Sequence, residues 1–272
     1  MAHTTNNHTM LLPVVAVAAV LALMAAQASA SGAYGDPGKF DSYVLALSWT
    51  PEFCFQNPSS DECKSIEPSD FAASNFGLHG LWPQYNSSHD GHDWPQFCHA
   101  DNTSYWKAIS SVLNNVEQEF LQQWKKYAPA YAYSDLLTHE WQRHGSCALP
   151  AVLNAWKSVD ALYDVQKAYF GYQMQLVAAN PTPGFVTQAL KSGKPVAVSD
   201  LQQHFGGAQY VGLQCVMAGN KAFLSQIELC YAKDATGRPT TKTPCPATVL
   251  NNSYDNNCVT TKQSHVYITK MK

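Results

Sequence analysis

The sequence predicts an α+β fold: a central antiparallel sheet flanked by helices and stapled by disulfides. Three observations carry this. Strand-like segments lie towards both ends of the chain, with helix-like segments between them. The 272 residues are 46% hydrophobic and 14% charged, enough apolar material for a sizeable core and too little charge for a disordered chain. The cysteines number eight, an even count that suits paired bridges.

The elements follow in chain order. Phe40 to Trp49 reads FDSYVLALSW, where Tyr43, Leu45 and Leu47 alternate with smaller residues, the pattern of a half-buried strand. Residues 51–101 are rich in Pro, Asn, Ser, Asp and His and read mostly as loops. Trp106, Ile109, Leu113, Val116 and Phe120 form one helical face within Ser104 to Tyr127, ended by Pro129. A short helix is expected over Asp135 to His144, and a longer one from about Val152 to Ala179, before Pro181. Ser199-Asp200 is a candidate cap for a short helix through His204. Tyr210 to Met217 and Ala222 to Lys233 read as two strands turned at Gly219-Asn220, and His265 to Thr269 as the last strand.

The N-terminus sets the expected compartment. Met1 to Ala30 holds no Asp, Glu, Lys or Arg, and an apolar run from Leu11 to Ala26 is followed by Gln27-Ala28-Ser29-Ala30. Small residues at Ala28 and Ala30 fit a signal-peptidase site, and the run is shorter than the ~20 residues that span a bilayer. The expected organisation is a signal peptide over residues 1–30 and one domain over 31–272, entering the secretory pathway for an extracellular or vacuolar destination. After removal of the signal no membrane segment is expected. Cys54, Cys63, Cys98, Cys147, Cys215, Cys230, Cys245 and Cys258 all lie in the mature part, where an oxidising compartment would pair them. No paired C-x₂-C cluster suggests zinc, and spacing alone leaves about 105 connectivities open. Asn86, Asn102 and Asn251 head glycosylation sequons.

The formal charge is -3, from 17 Lys+Arg against 20 Asp+Glu. This argues against a protein that holds duplex DNA through its phosphates, and leaves room for an enzyme that meets nucleic acid in one local cleft.

Two segments carry chemistry: Phe76-Gly-Leu-His-Gly-Leu-Trp-Pro83 and His139-Glu-Trp-Gln-Arg-His-Gly-Ser-Cys147. At ~100° per residue, His139 and Arg143 fall about 40° apart, as do Glu140 and His144, with Trp141 turned away towards the core. A zinc protease wants His at i and i+4; here the spacing is i and i+5, which splays the rings by about 140° on a continuous helix. No G-x-S-x-G elbow marks a serine hydrolase, and only Glu140 stands where a glycosidase carboxylate would. Two histidines and a fixed cation instead suit transfer of a phosphodiester to a neighbouring 2′-hydroxyl. One imidazole takes a proton, the other gives one, and the cation stabilises the phosphorane. RNA carries its own nucleophile, so neither metal nor cofactor is expected, and DNA lacks the hydroxyl.

Both segments, in this order and roughly 55 residues apart, resemble the two active-site segments of the ribonuclease T2 family, and the acidic chain resembles its plant S-like members. The resemblance spans about Phe40 to the C-terminus. It implies a single-domain endoribonuclease, acting as a monomer on single-stranded RNA through a 2′,3′-cyclic phosphate to a 3′-phosphate. Carried over, His79 and His144 are the acid–base pair, Glu140 the supporting carboxyl, Arg143 the cation, His139 the phosphate holder and Trp82 a base-stacking aromatic or core residue. The family pattern also implies Cys54–Cys63, Cys98–Cys147, Cys215–Cys258 and Cys230–Cys245. Departures are Arg143 where the family has Lys, Ser48-Trp49-Thr50-Pro51 where plant members show Gln-Trp-Pro, and the absence of a further cysteine pair. His89, His92 and His99, in a polar loop near Trp94-Pro95 within reach of a substrate, read as common exposed loop histidines, and His204 and His265 read as structural. The rival expectation is a catalytically weak storage or defence protein that keeps the fold.

Overall fold

The computed structural model describes residues 33–98, 118–128, 139–148, 159–251, 258–259 and 261–271. Its centre is an antiparallel sheet in the order β2-β1-β5-β4. Here β1 is Ser42–Ser48, β2 Gly77–Gln84, β4 Val211–Ala218 and β5 Lys221–Lys233. A short β6, Pro239–Lys242, pairs with the far end of β5, and β3, Val196–Ala197, pairs with β7, His265–Val266, in a separate two-stranded sheet. The described helices are α1 Thr50–Gln56, α2 Gln118–Tyr127, α3 Val159–Ala179, α4 Gly184–Ser192 and α5 Val198–His204, with shorter turns between. The α+β expectation holds.

One sheet face is apolar. Tyr43, Leu45 and Leu47 of β1 share the core with Leu78 and Leu81 of β2, and with Val211, Leu213, Ile227 and Leu229. Tyr169, Phe170, Met174 and Val177 of α3 belong to the same cluster, and the Tyr169 hydroxyl donates to Leu81 O at 2.5 Å, tying helix to sheet. Trp49, Trp124 and Trp141 are fully buried, and burying such large rings is a main driving term for a fold of this size.

Several elements differ from the sequence reading. β1 is buried at all seven positions rather than on one side: β2 and β5 flank both its edges, and Val44 on the second face packs with Cys230, Cys245 and Val249. Residues 51–101 contain β2, whose glycines and Pro83 disguise it. Pro83 is tolerated because β2 is an edge strand, with only β1 to satisfy. The cap of α5 is Ala197, with no side-chain hydrogen bond, rather than Ser199-Asp200, since β3 runs straight into the helix. The last strand shrinks to two residues; Tyr267 then bridges Phe223 in parallel. Of the 104–127 helix the described part is α2. Trp106, Ile109, Leu113, Val116, Asn102 and His99 lie outside the described residues, as do the segments before His139 and Val159.

The sulfurs join as Cys54–Cys63, Cys98–Cys147, Cys215–Cys258 and Cys230–Cys245. Among the described residues no helix is long and apolar enough to cross a membrane.

Candidate active site

The second sheet face carries the site, and a β-bulge aims its first histidine. Ala46 of β1 pairs with Gly80 and Leu47 pairs with Leu78, so His79 is the unpaired extra residue of β2. A bulge shifts the alternation of a strand by one residue. Leu78 and Leu81, three apart, therefore both reach the core, while Gly80, Trp82 and Gln84 share the cleft face.

The second segment meets this face from outside the sheet. His139–Arg143 is helical, His144 leaves the helix, and a tight turn over Gly145–Cys147 follows. Trp141 drives the segment into the core, edge-on to Tyr169. A β-carbon on Gly145 would lie 2.4 Å from the Trp141 ring and 2.9 Å from Tyr169, so only glycine lets the turn close there. The Cys98–Cys147 bridge and a hydrogen bond from Phe97 N to Arg143 O at 2.9 Å fasten this turn to the loop after Trp94. In the chain-entropy model, closing a loop of 49 residues contributes roughly 3–5 kcal/mol.

His79, Trp82, His139, Glu140, Arg143 and His144 all line one cleft of about 560 Å³. Glu140 is its floor. The carboxyl is fully buried, its Oε2 accepts the Trp82 indole N–H at 2.9 Å, and its Oε1 lies 4.0 Å from His79 Nε2. Gly80 permits this close approach: a β-carbon there would sit 2.0 Å from Oε2. The Trp82 ring stacks on His144, with centroids 5.3 Å apart, and meets His79 edge-on at 5.1 Å. One indole face is thus already occupied, so Trp82 is a wall that spaces the two imidazoles. Arg143 reaches the cleft with its Nε donating to Gln96 Oε1 at 3.3 Å.

The electrostatics separate the groups. Burial pushes the Glu140 carboxyl up to about 8, against the pull of the Trp82 N–H and the Arg143 charge. Near neutral pH it is therefore a carboxylic acid, able to donate a hydrogen bond. Burial holds His144 well below the ordinary imidazole value, helped by Arg143, His139 and His79. His139, exposed at the cleft mouth, is lowered by partial burial and Arg143.

The splay expected for an i and i+5 spacing does not keep the two rings apart. The two ring centroids are 6.3 Å apart, and donor atoms of His139, Glu140 and His144 lie within 4.8 Å of one another. These three are the candidate metal ligands among the described residues. The spread is wider than the roughly 3.4 Å between ligands around a tetrahedral zinc bonded at about 2.1 Å.

The cleft also contains Gln84, Gln96, Glu228 and Thr248, which motif reading passed over, together with His92 and Trp94 of the polar loop. His92 is carried there by a hairpin closed through reciprocal His89–His92 backbone hydrogen bonds, and its ring stacks on Tyr34 at 3.7 Å. His89 instead bonds the Tyr34 hydroxyl at 2.7 Å. His204 packs edge-on to Phe185 and Phe205, and His265 is exposed on β7.

Fold and site together define an α+β protein whose cleft gathers His79, His139 and His144 with the Glu140 carboxyl and the Arg143 guanidinium. The chain belongs to the ribonuclease T2 family, whose profile matches residues 40–240. It is 34% identical over 117 residues to a ribonuclease of Aeromonas hydrophila, covering 43% of this chain and 41% of that one. Ribonuclease 3 of Arabidopsis thaliana is 30% identical over 110 residues, covering 40% and 44%. The aligned part thus spans less than half the length of these relatives. The crystal structure of a self-incompatibility-associated SF11-RNase from Nicotiana alata shares the fold, with a TM-score of 0.52 and 18% identity over 86% of this chain and all of that one.

Proposed function

We propose that the protein is a secreted endoribonuclease that cuts single-stranded RNA by internal transesterification. The observation that carries this is the placement of two imidazoles in different environments about one protonated carboxyl, in the same cleft as a guanidinium. His144, kept neutral by burial, accepts the proton of the 2′-hydroxyl as its oxygen bonds to phosphorus. His79, part-exposed, donates from Nε2 to the 5′-oxygen as its bond to phosphorus breaks. Arg143, and Glu140 as a neutral acid, hydrogen-bond the phosphoryl oxygens where charge builds. His139 at the mouth holds the incoming phosphate. The product is a 2′,3′-cyclic phosphate and a free 5′-hydroxyl. Water then opens the cyclic ester with the two histidines in exchanged roles, leaving a 3′-phosphate.

Single strands fit because their bases are free to stack on aromatic side chains, and Trp94 and His92 line the same cleft. The names of the relatives support a ribonuclease, and the plant relatives suit an S-like member. Removal of Met1–Ala30 on export, glycans at Asn86 and Asn251, both exposed, and at Asn102, and action as a monomer complete the reading.

The experiment is incubation of the purified protein with single-stranded RNA in EDTA, with mass spectrometry of the product ends and DNA of the same sequence as control. Cyclic phosphates that give way to 3′-phosphates, with DNA intact, are expected. Activity that vanishes with chelator and returns with zinc would transfer His139, Glu140 and His144 to a metal site and overturn the two-histidine mechanism. An intact RNA would favour the storage or defence protein.

A further inference from the structure

Behind His79 the cleft face of the sheet carries a row of polar side chains. The register places Gln226 opposite Ser48 and Glu228 opposite Ala46, and Gln214 of β4 lies opposite Gln226. We propose that Glu228, acting through Gln226, is a positioning residue that holds the His79 imidazole with a hydrogen on Nδ1 and Nε2 facing the cleft. The catalytic consequence rests on the ribonuclease reading; the tautomer itself does not.

The argument is one of donors and acceptors. Gln226 Nε2 donates to Glu228 Oε1 at 2.9 Å, so that carboxyl oxygen is the acceptor of the pair. The amide is thereby fixed one way up, with its oxygen turned to the other side. That oxygen takes the Ser48 hydroxyl at 3.3 Å and lies 2.7 Å from His79 Nδ1. An oxygen facing a ring nitrogen at that distance requires the hydrogen on the ring. Glu228 is held from its other side by Gln214 Nε2, at 3.4 Å from Oε2. Glu228 and Gln214 are both 3% exposed, so water competes little and the chain is electrostatically strong. Nε2, which looks towards Glu140, is then the nitrogen that exchanges protons with substrate. With the hydrogen on the wrong nitrogen, a neutral His79 could not take a proton from water in the second step.

The test is nitrogen-resolved NMR of the His79 ring at a pH where it is neutral, together with turnover of a dinucleotide. The parent should show the Nδ1–H form. Glu228→Leu frees the Gln226 amide to turn over and should give mixed tautomers. With it, kcat should fall about 10–100-fold while KM stays within about threefold. Adding Gln226→Glu to Glu228→Leu sets a carboxylate directly on Nδ1, and should restore the Nδ1–H form and most of kcat. An Nε2–H parent overturns the proposal, and this measurement stands even if Glu228→Leu does not fold. A Glu228→Leu protein with unchanged tautomer and kcat, or a double variant that restores neither, also overturns it. A parent that shows Nδ1–H yet cuts no RNA would remove the ribonuclease reading and leave the positioning chain intact.

Discussion

Adding one methyl group at Gly80 should damage stability and turnover together. The β-carbon of Gly80→Ala would lie 2.0 Å from Glu140 Oε2, 2.7 Å from Glu140 Cδ and 2.5 Å from Trp82 Nε1. It therefore wedges into the 2.9 Å hydrogen bond between those two residues. Neither partner has room to retreat: Glu140 is fully buried, and Trp82 stands between His144 and His79. Leaving the indole N–H and the buried carboxyl unpaired costs about 1–3 kcal/mol, and overpacking adds a similar amount, so about 2–6 kcal/mol is expected. For a chain of this size that lowers Tm by about 4–24 °C. Displacing Glu140 also moves the walls that space the imidazoles, and misplacement by about 1 Å can cost ~10²-fold in rate. Thermal melts and dinucleotide kinetics on the parent and Gly80→Ala measure both. A variant within about 0.5 kcal/mol of the parent at unchanged kcat would show that Glu140 is not held as described.

His79→Ala and His144→Ala should each lower kcat by about 10²–10⁴-fold, with His139→Ala acting more on KM; steady-state kinetics separate them, and near-normal kcat in the first two would place the chemistry elsewhere. Arg143→Ala should be slower by about 10–10³-fold, while Arg143→Lys equals or exceeds the parent in kcat, because a compact ammonium keeps the charge without the wider fork. Stability should fall as pH rises above 6.5, as chemical denaturation at a series of pH values would measure. Glu140, raised from 4.5 to about 8, contributes stability that is full below 4.5 and lost as pH rises through 8. His144, lowered from 6.5, contributes stability that is full above 6.5 and lost as pH falls, a slope that opposes that of Glu140 just below 6.5. Between 6.5 and about 8 Glu140 acts alone of the two, at no more than about 1.4 kcal/mol per pH unit. Glu140→Gln should remove this alkaline limb, and an unchanged limb in that variant would put the titration on another group.

Motif reading located residues that share one cleft but not the residues that support them. The two segments stood out because His, Glu and Arg crowd into apolar frames, and all six site residues drawn from them meet in one cleft. The strand that carries His79 was hidden, since a bulge breaks the period-2 alternation by which strands are recognised. The helical-wheel angle between His139 and His144 could not show how far the side chains reach, and the two rings still come within 6.3 Å of each other. Gln226 and Glu228 left a faint trace in QIELCYA: two polar residues at alternate positions of an otherwise apolar run. That trace becomes meaningful only once pairing shows β5 to lie in the middle of the sheet, with its polar side turned to the cleft.

The bulge has a consequence for how such a protein can change. Strike His79 from the chain, and Leu78, Gly80, Leu81 and Trp82 become a regular alternating strand, each residue already opposite its present partner on β1. The residue to which we assign the proton transfer is the one that the ladder does not need. A single lost codon would empty that place in the cleft and leave the sheet tidier than before, so this scaffold can part with the proposed activity without parting with its shape.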